Sequence, residues 1–412
     1  MNLEQLTNKN ILLLGKTRVF QFGEFASLLK KNDIHLTENN FSIIVEGAMM
    51  TPYEQNRVDE LYATHQYTFI AIDHLEKLLT QTIAHKPLLM SLKLSRNTQR
   101  LLSYIHNNYI DDTLFFDLLR IYNWDGEDFF ATDTNRDVSA SLIRRFYKNL
   151  HTNHNAEYAP SGLYTLAQQT TNTQLLETLA TLQPTRNHIQ LQCAIASNSC
   201  TPMYIVQRWI DTGSKELLNA IAKNRELDDD TLIQLIQKDD TLAFISAHHI
   251  QLSDKRFALL KTYHTIALNP TLTLQMQEQL FQTRNDAILN ALATNKALTT
   301  PLAQKILSLK EAQLSALIYR NFCNDIALLQ EAFDKGEHLE DLAHNHATPQ
   351  EILQQLYTLQ TPTILMALAC NENTPIDLLY QLQLDRRFER YVKTNKSFGT
   401  FIQTQNIGWL DI

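Results

Sequence analysis

The feature that most constrains this 412-residue chain is a short phrase that recurs along it. Residues 342–353 read LAHNHATPQEIL, and residues 368–379 read LACNENTPIDLL. Both combine an apolar residue, a small residue, an Asn two positions later, and Thr-Pro before a Leu-rich amphipathic helix. A phrase that returns at a fixed period is typical of repeat proteins, in which no single unit can bury its own apolar face. The sequence therefore predicts an array of stacked units.

Aligning the copies on their Asn gives the period. The aligned residues, with a weaker last copy, are Asn198, Asn224, Asn269, Asn295, Asn321, Asn345, Asn371 and Asn395. The long interval after Asn224 leaves room for a degenerate copy around residues 247–250, and the average spacing is then about 25 residues. A HEAT repeat with two full helices needs about 40 residues. We therefore expect one helix of roughly 10–12 residues and a short second helix or 3₁₀ turn in each unit.

Each residue type in the phrase has a physical role. A small side chain before the Asn lets neighbouring backbones approach closely, and six copies place alanine there: Ala196, Ala222, Ala267, Ala293, Ala343 and Ala369. The Asn can satisfy backbone groups at the end of a helix. Thr-Pro predicts an N-cap hydroxyl followed by a first-turn proline. In the copy after Asn224, which lacks Thr-Pro, Asp228 or Asp229 is expected to cap the helix.

The pattern Leu-Ala-x-Asn-x-x-Thr-Pro-x-x-Leu-Leu resembles the leucine-rich repeat variant, a bacterial HEAT-like α/3₁₀ solenoid, over about residues 165–395. Some members of that family carry an N-terminal cysteine cluster for an iron–sulfur centre. Here the first cysteine is Cys193, so no cofactor is expected. Asn107 and Asn135 extend the pattern backward in diverged form. The resemblance implies diverged repeats at 87–160, a solenoid at 161–396, and a C-terminal cap or tail at 397–412.

The N-terminal residues follow a different pattern. Apolar runs at 11–14, 41–45 and 67–72 predict β-strands, and a weaker strand fits 33–37. Helical spacing predicts helices at 22–31, 53–64 and 75–79, the last capped by Asp73. The expected order is β-α-β-β-α-β-α around a buried sheet. The predicted fold is thus α+β overall: a small α/β domain at residues 1–86, followed by an all-α/3₁₀ helical-repeat solenoid.

The order of these elements resembles a BRCT domain, a protein-interaction and phosphopeptide-reading module of DNA-damage proteins. Two positions depart from that family: the last helix lacks its usual Trp, and Asn32-Asp33 replace a glycine pair. Another small α/β domain is the alternative. A BRCT-like domain would place Lys16 and Thr17 near a phosphate; otherwise they form a solvated turn. A nucleotide-binding P-loop is excluded, because position 10 is Asn rather than the required Gly.

Basic residues cluster at three places after the α/β domain, the last of them at residues 386–396. Lys93, Arg96 and Arg100 share one face of a helix and would line a groove that reads phosphate or an acidic peptide. Arg144, Arg145 and Lys148 form a second group. The alternative is ordinary solvation of helix surfaces. The net charge of −8 disfavours a sequence-independent grip on nucleic acid, which needs many cations facing phosphates.

Catalytic, metal and cofactor sites are not predicted. Asp125, Glu127 and Asp128 would serve a hydrolase only if their carboxylates converged in one pocket. His344 and His346 flank an Asn in a predicted turn instead of following the i, i+4 spacing of helical metal ligands.

The predicted function is a non-catalytic scaffold that binds a partner protein through the solenoid surface. The alternative is a nucleic-acid-associated protein of DNA repair or replication, and an unrecognised hydrolase is a third candidate. Apolar runs are too short for a membrane span, and the N-terminus lacks a signal-peptide pattern. We therefore expect no membrane association and a cytoplasmic location.

Overall fold

The computed structural model describes residues 1–147, 154–322 and 325–405. Its contacts group the chain into two compact units, Met1–Trp209 and Ile210–Ile412. A small parallel sheet lies near the N-terminus, and helices follow it. The expected coarse architecture of an α/β segment followed by helical repeats is therefore confirmed.

The first unit begins with a four-stranded parallel sheet in the order β2-β1-β3-β4. Its elements are α1 (Leu3–Leu6), β1 (Asn10–Leu14), α2 (Phe22–Lys31), β2 (His35–Leu36), β3 (Ile43–Glu46), α3 (Pro52–Ala63), β4 (Thr68–Ala71) and α4 (Ile72–Thr80). The predicted order β-α-β-β-α-β-α is present and follows α1. The apolar runs form strands because central parallel strands are buried on both faces, as β3 is. The prediction that Asp73 caps the last helix is wrong, because Ala71 occupies the N-cap and Asp73 lies in the first turn.

Helices complete the first unit. They are α5 (His85–Ser95), α6 (Thr98–Ile105), α7 (Asp112–Ile121), α8 (Asp133–Phe146), α9 (Pro160–Gln169), α10 (Thr173–Thr181), α11 (Ile189–Ser197) and α12 (Met203–Thr212), with 3₁₀ helices at Asp125–Glu127, His154–Tyr158 and Gln183–Asn187. The predicted domain boundary at residue 86 falls in the first turn of α5. The division between the two units falls inside α12.

The second unit is helical throughout its described residues. Its helices are α13 (Lys215–Ala222), α14 (Asp229–Lys238), α15 (Asp240–His249), α16 (Asp254–Leu260), the 3₁₀ helix His264–Leu268, α17 (Leu274–Gln282), α18 (Asp286–Thr294), α19 (Thr300–Leu307), α20 (Ala312–Asn321), α21 (Ile326–Lys335), α22 (Leu339–His344), α23 (Gln350–Thr358), α24 (Pro362–Cys370), α25 (Ile376–Gln383), α26 (Glu389–Thr394) and α27 (Lys396–Thr404). The expected inequality of the two helices in a repeat holds for α21 and α22, which are 10 and 6 residues long, but not for α23 and α24, which are each 9 residues long. Two α-helices fit the period because both are short.

A ladder of buried Asn side chains connects successive repeats within the second unit. Asn371 Nδ2 donates to the carbonyl oxygens of Ala343 at 2.8 Å and Asn345 at 3.0 Å, and the second of these lies 26 residues earlier. The same paired donation joins Asn295 to Ala267 and Asn269, and Asn395 to Ala369 and Asn371. Each Asn thus supplies its amide protons to the end of the corresponding helix in the preceding repeat, where carbonyls lack helical partners.

The other atom of each side chain closes the turn that follows. Asn371 Oδ1 accepts the N–H of Asn373 at 2.8 Å, and Asn345 Oδ1 accepts that of Ala347 at 2.8 Å. The degenerate copy at 247–250 belongs to the ladder, because Asn269 donates to the carbonyls of Ala247 and Ile250. In the first unit, Asn198 makes the same kind of donation to Ala167 and Thr170. The buried alanines before the Asn permit this close approach.

Two predicted ladder positions differ from the rest. Asn321 is the last residue of α20, and its Nδ2 bonds to Leu317 O within its own helix. Phe322 takes the ladder position instead, since Asn345 Nδ2 donates to the Phe322 carbonyl at 2.8 Å. Asn135 lies near the start of α8 and bonds to Asp125 and Asp128 carbonyls. The alignment of Asn321 and Asn135 with the ladder is wrong, because the sequence does not show to which helix end an Asn side chain donates its hydrogen bonds.

The threonines of the phrase also act differently from the prediction. Pro349 and Pro375 occupy the N-cap positions of α23 and α25, one residue after the threonines. The Thr348 and Thr374 hydroxyls donate backward to carbonyls six residues earlier, each at 2.7 Å. The hydroxyl therefore supports the end of one helix rather than the start of the next. Asp228 does cap α14, accepting the Thr231 N–H at 2.7 Å.

Candidate binding site

The loop between β1 and α2 contains the predicted phosphate contacts Lys16 and Thr17. Gly15 has a φ of 90°, and the Lys16 N–H donates to Ala48 O at 2.7 Å, which fixes the start of the loop. The Thr17 hydroxyl donates to Phe20 O at 2.7 Å. Its proton is therefore used inside the loop, whereas the Lys16 side chain is exposed.

Three successive N–H groups of this loop converge on a carboxylate that the chain itself supplies. Arg18, Val19 and Phe20 donate to Oε1 of Glu76 at 3.1, 3.0 and 3.2 Å. Such a row of backbone donors forms a concave anion site. Glu76 is fully buried on α4, and burial raises the pKa of its carboxyl. The backbone donors that an external phosphate would need are thus already engaged.

Arg100 belongs to a partly buried polar cluster. Its Nη2 lies 2.6 Å from Glu24 Oε1, and its Nη1 donates to Ser91 Oγ at 2.7 Å. The Tyr104 hydroxyl donates to the same Glu24 oxygen at 2.6 Å. The hydrogen bond to Glu24 raises the pKa of Arg100, and burial raises the pKa of Tyr104. Arg100 therefore joins α6 to α2 and does not act with Lys93 and Arg96.

We expect Glu24→Gln to lower the free energy of unfolding by about 2 kcal/mol, because hydrogen bonds to a charged partner are worth roughly 1.5–3 kcal/mol. The substitution keeps an acceptor oxygen but leaves the Arg100 guanidinium without a countercharge. Urea unfolding followed by circular dichroism measures the change. The matched control is Asp133→Asn, which breaks the exposed pair of Asp133 with Arg136 and should cost under about 0.5 kcal/mol. Equal costs for both variants would contradict the role assigned to Glu24.

The two described residues of the second predicted basic group, Arg144 and Arg145, are also paired with carboxylates. Arg144 Nε lies 3.0 Å from Glu157 Oε2, and this hydrogen bond raises the pKa of Arg144. Arg145 Nε lies 2.8 Å from Asp112 Oδ1, and its guanidinium covers the Phe115 ring. Lys148 lies outside the described residues. These arginines hold helices together within the first unit.

Lys93 and Arg96 line a cleft of about 460 Å³ in the first unit. The cleft is formed by the end of α5, the start of α6, and the segments on either side of the first 3₁₀ helix. Its other lining residues are Leu92, Asn97, Thr98, Leu101, Ile121, Tyr122, Asn123, Asp125 and Thr134. This volume falls in the range of ligand pockets, roughly 300–1,000 Å³. We call this feature the α5–α6 cleft.

The backbone conformation at the end of α5 places Arg96 at the α5–α6 cleft. Arg96 ends α5 in the left-handed conformation with a φ of 50°, and its N–H donates to Leu92 O. Asn97 then caps α6 by accepting the Arg100 N–H at 3.0 Å. The chain therefore turns from one helix into the next, and the prediction that Lys93, Arg96 and Arg100 share one helix face is wrong, because Lys93 lies on α5 and Arg100 on α6.

The sequence predicted the two cations of the α5–α6 cleft, Lys93 and Arg96, but not the other residues that line it. Asn97-Thr98 after Arg96 is a helix-start signal that could have placed the turn. The contributions of Ile121, Asn123 and Thr134 depend on packing of distant segments, which no local pattern reports. Arg100 was grouped with the cations because its partner Glu24 is 76 residues away.

The three carboxylates considered for hydrolysis have separate partners. Asp125 accepts the Asn123 amide at 2.9 Å, and Glu127 accepts the Gln183 amide at 2.5 Å. Asp128 Oδ2 lies 2.9 Å from His188 Nε2. Among the described residues, the three carboxylates thus have three different side-chain partners.

Metal-ligand clusters and membrane-spanning helices are both absent from the described part of the chain. In it, no three His, Cys, Asp or Glu side chains come together as metal ligands would. Within the same residues, every helix is too short or too polar to cross a bilayer.

Comparison of the chain with protein-family models, curated proteins and solved structures found no match.

Proposed function

We propose that this protein is a non-catalytic scaffold whose helical repeats bind a partner protein. The observation that carries the proposal is the Asn ladder, which fixes successive repeats to one another through fully buried hydrogen bonds. A repeat array held in this way presents a preformed surface, so that binding costs little conformational entropy. The likeness of the repeated phrase to the leucine-rich repeat variant supports the same function.

The BRCT-like assignment of the N-terminal segment is part of this proposal. The parallel sheet and the order of its elements are consistent with that assignment. Glu76 fills the row of loop N–H groups after β1. We therefore propose that this segment contributes to protein interaction without reading a phosphate at that loop.

The nucleic-acid alternative receives less support. It requires cations that face the phosphates, whereas Arg100, Arg144 and Arg145 are each paired with a carboxylate. A protein that neutralises many phosphates binds with a steep salt dependence. The acidic net charge of −8 opposes the same contacts.

Affinity capture with the immobilised full-length chain tests the scaffold proposal. We expect a protein to be retained from nuclease-treated extract of the source cells and, once purified, to form a complex of defined mass by light scattering. A labelled 20-base-pair duplex should remain unbound at roughly 150 mM salt, where surface charges are screened beyond about 8 Å. Retention of no protein, or duplex binding that collapses with added salt, would overturn the proposal.

A further inference from the structure

We infer that the α5–α6 cleft binds an acidic peptide segment in which carboxylate side chains alternate with apolar ones. This inference rests on the proposed function, because the segment is taken to belong to the partner protein. Three properties of the cleft carry it: its unneutralised cations, its apolar floor and the orientation of its aromatic residue.

The cations of the α5–α6 cleft differ from Arg100, Arg144 and Arg145, which are paired with carboxylates. Lys93 Nζ and the Arg96 guanidinium have no ion-pair or hydrogen-bond partner among the residues that the structure describes, and both side chains are exposed. Arg100, only four residues beyond Arg96, is held by Glu24. Of the described residues that line the cleft, Asp125 alone is acidic. Two unpaired cations at a concave surface complement an anion.

The floor of the α5–α6 cleft is apolar. Leu92 is 4% exposed, and Leu101 and Ile121 are half-buried beside it. An isolated phosphate gains nothing from such a surface, whereas an aliphatic side chain next to a carboxylate fills it. A ligand that pairs an acidic group with an apolar one therefore uses both parts of the cleft.

The aromatic residue of the cleft argues against a nucleic-acid ligand. Bases bind single-stranded readers by stacking on open aromatic faces. The Tyr122 ring packs edge to face with Trp124, with centroids 5.0 Å apart, and its hydroxyl donates to Asn135 at 2.9 Å. Tyr122 is thus 6% exposed and held in the core. The polar groups at the rim, such as the side chains of Asn97 and Asn123, suit a peptide backbone.

The test uses a fluorescein-labelled nonapeptide of alternating Glu and Leu, with fluorescence anisotropy as the readout on the full-length chain. We expect binding that weakens with salt and at least about a tenfold loss of affinity for the double variant Lys93→Gln/Arg96→Gln, which corresponds to about 1.4 kcal/mol. The control double variant Lys30→Gln/Lys31→Gln makes the same charge change on exposed residues of α2 and should bind within twofold of the parent.

Specific results overturn the inference. The inference is wrong if a Gln-Leu peptide binds as tightly as the Glu-Leu peptide, or if oligothymidylate or inorganic phosphate binds more tightly. It is also wrong if Lys93→Gln/Arg96→Gln leaves the affinity unchanged, or if both double variants lose affinity equally. Capture with the cleft double variant separates the two proposals. If the parent and the variant retain the same partner equally, the scaffold function stands and the cleft inference falls. If the variant alone loses the partner, the inference is supported.

Discussion

Replacing Asn371 with alanine is expected to lower the free energy of unfolding by about 3 kcal/mol, because each buried polar group left without a partner costs roughly 1–3 kcal/mol. Asn371 is 1% exposed and makes three hydrogen bonds. Its removal leaves the carbonyls of Ala343 and Asn345 and the N–H of Asn373 without this partner. Chemical denaturation followed by circular dichroism measures the loss.

Two further variants sharpen this prediction. Asn371→Asp should cost more, about 4 kcal/mol, because it places an acceptor or an unpaired charge against two carbonyl oxygens. Asn321→Ala is the matched control, since Asn321 has the same spacing in sequence, but among the described residues its side chain bonds only within α20, to Leu317 at 2.8 Å. Its cost should be under about 1 kcal/mol. Similar losses for Asn321→Ala and Asn371→Ala would show that the ladder does not stabilise the second unit.

Hydrogen exchange gives the location of the effect. Stability in repeat proteins is approximately a sum of terms between neighbouring units. In Asn371→Ala, we expect faster amide exchange in α22 through α26, because the lost bonds join the ends of α22 and α24, and α23, α25 and α26 contact α24. Amides of α14 and α15 should keep their protection. Uniform loss of protection across the second unit would contradict a nearest-neighbour role for Asn371.

Much of the fold could be predicted because its signals are local or periodic. The apolar runs gave the strands of the sheet, and α2 was expected with the bounds that it has, Phe22–Lys31. The degenerate repeat ending at Ile250 was found by counting alone. Predictions failed where a side chain can bond to backbone groups of either of two helices. The Thr348 hydroxyl, for example, was expected to cap the following helix but donates to the Leu342 carbonyl of the preceding one.

The candidate site was less accessible from sequence because it depends on charges that meet across long separations. Lys93, Arg96 and Arg100 look equivalent on one helix face, yet only Arg100 meets Glu24. The loop at Lys16 and Thr17 looked open, but the carboxylate that fills it comes from Glu76, more than 50 residues later. Pairings of this kind are set by packing, and helical spacing does not contain them.

Replacing Glu76 with alanine is expected to lower the free energy of unfolding by about 4 kcal/mol, because three loop N–H groups lose their acceptor and each unsatisfied buried donor costs roughly 1–3 kcal/mol. The groups belong to Arg18, Val19 and Phe20. Glu76→Gln keeps an acceptor oxygen for them and should cost under about 1.5 kcal/mol at neutral pH. Urea unfolding of both variants measures the difference.

The pH dependence isolates the charge on Glu76. Burial raises the pKa of this carboxyl above its ordinary value of 4.5, and Oε2 has no hydrogen-bond partner in the described part of the chain. The folded state then binds the proton more tightly than the unfolded state does. The stability contributed by protonated Glu76 is therefore fully present below pH 4.5 and is lost as the pH rises through the folded-state pKa.

Glu76→Gln has no titratable group at this position. The contributions of all other titratable groups therefore cancel in the difference in unfolding free energy between the parent and this variant. We expect that difference to move against the parent as the pH rises above 4.5 and to level off once the carboxyl is ionised in both states. A shift in favour of the parent as the pH rises toward 4.5, with no further change above it, would mean that the three loop N–H groups outweigh burial and hold the pKa of Glu76 below its ordinary value. The same titration thus decides whether this loop is built to hold an anion or only tolerates one.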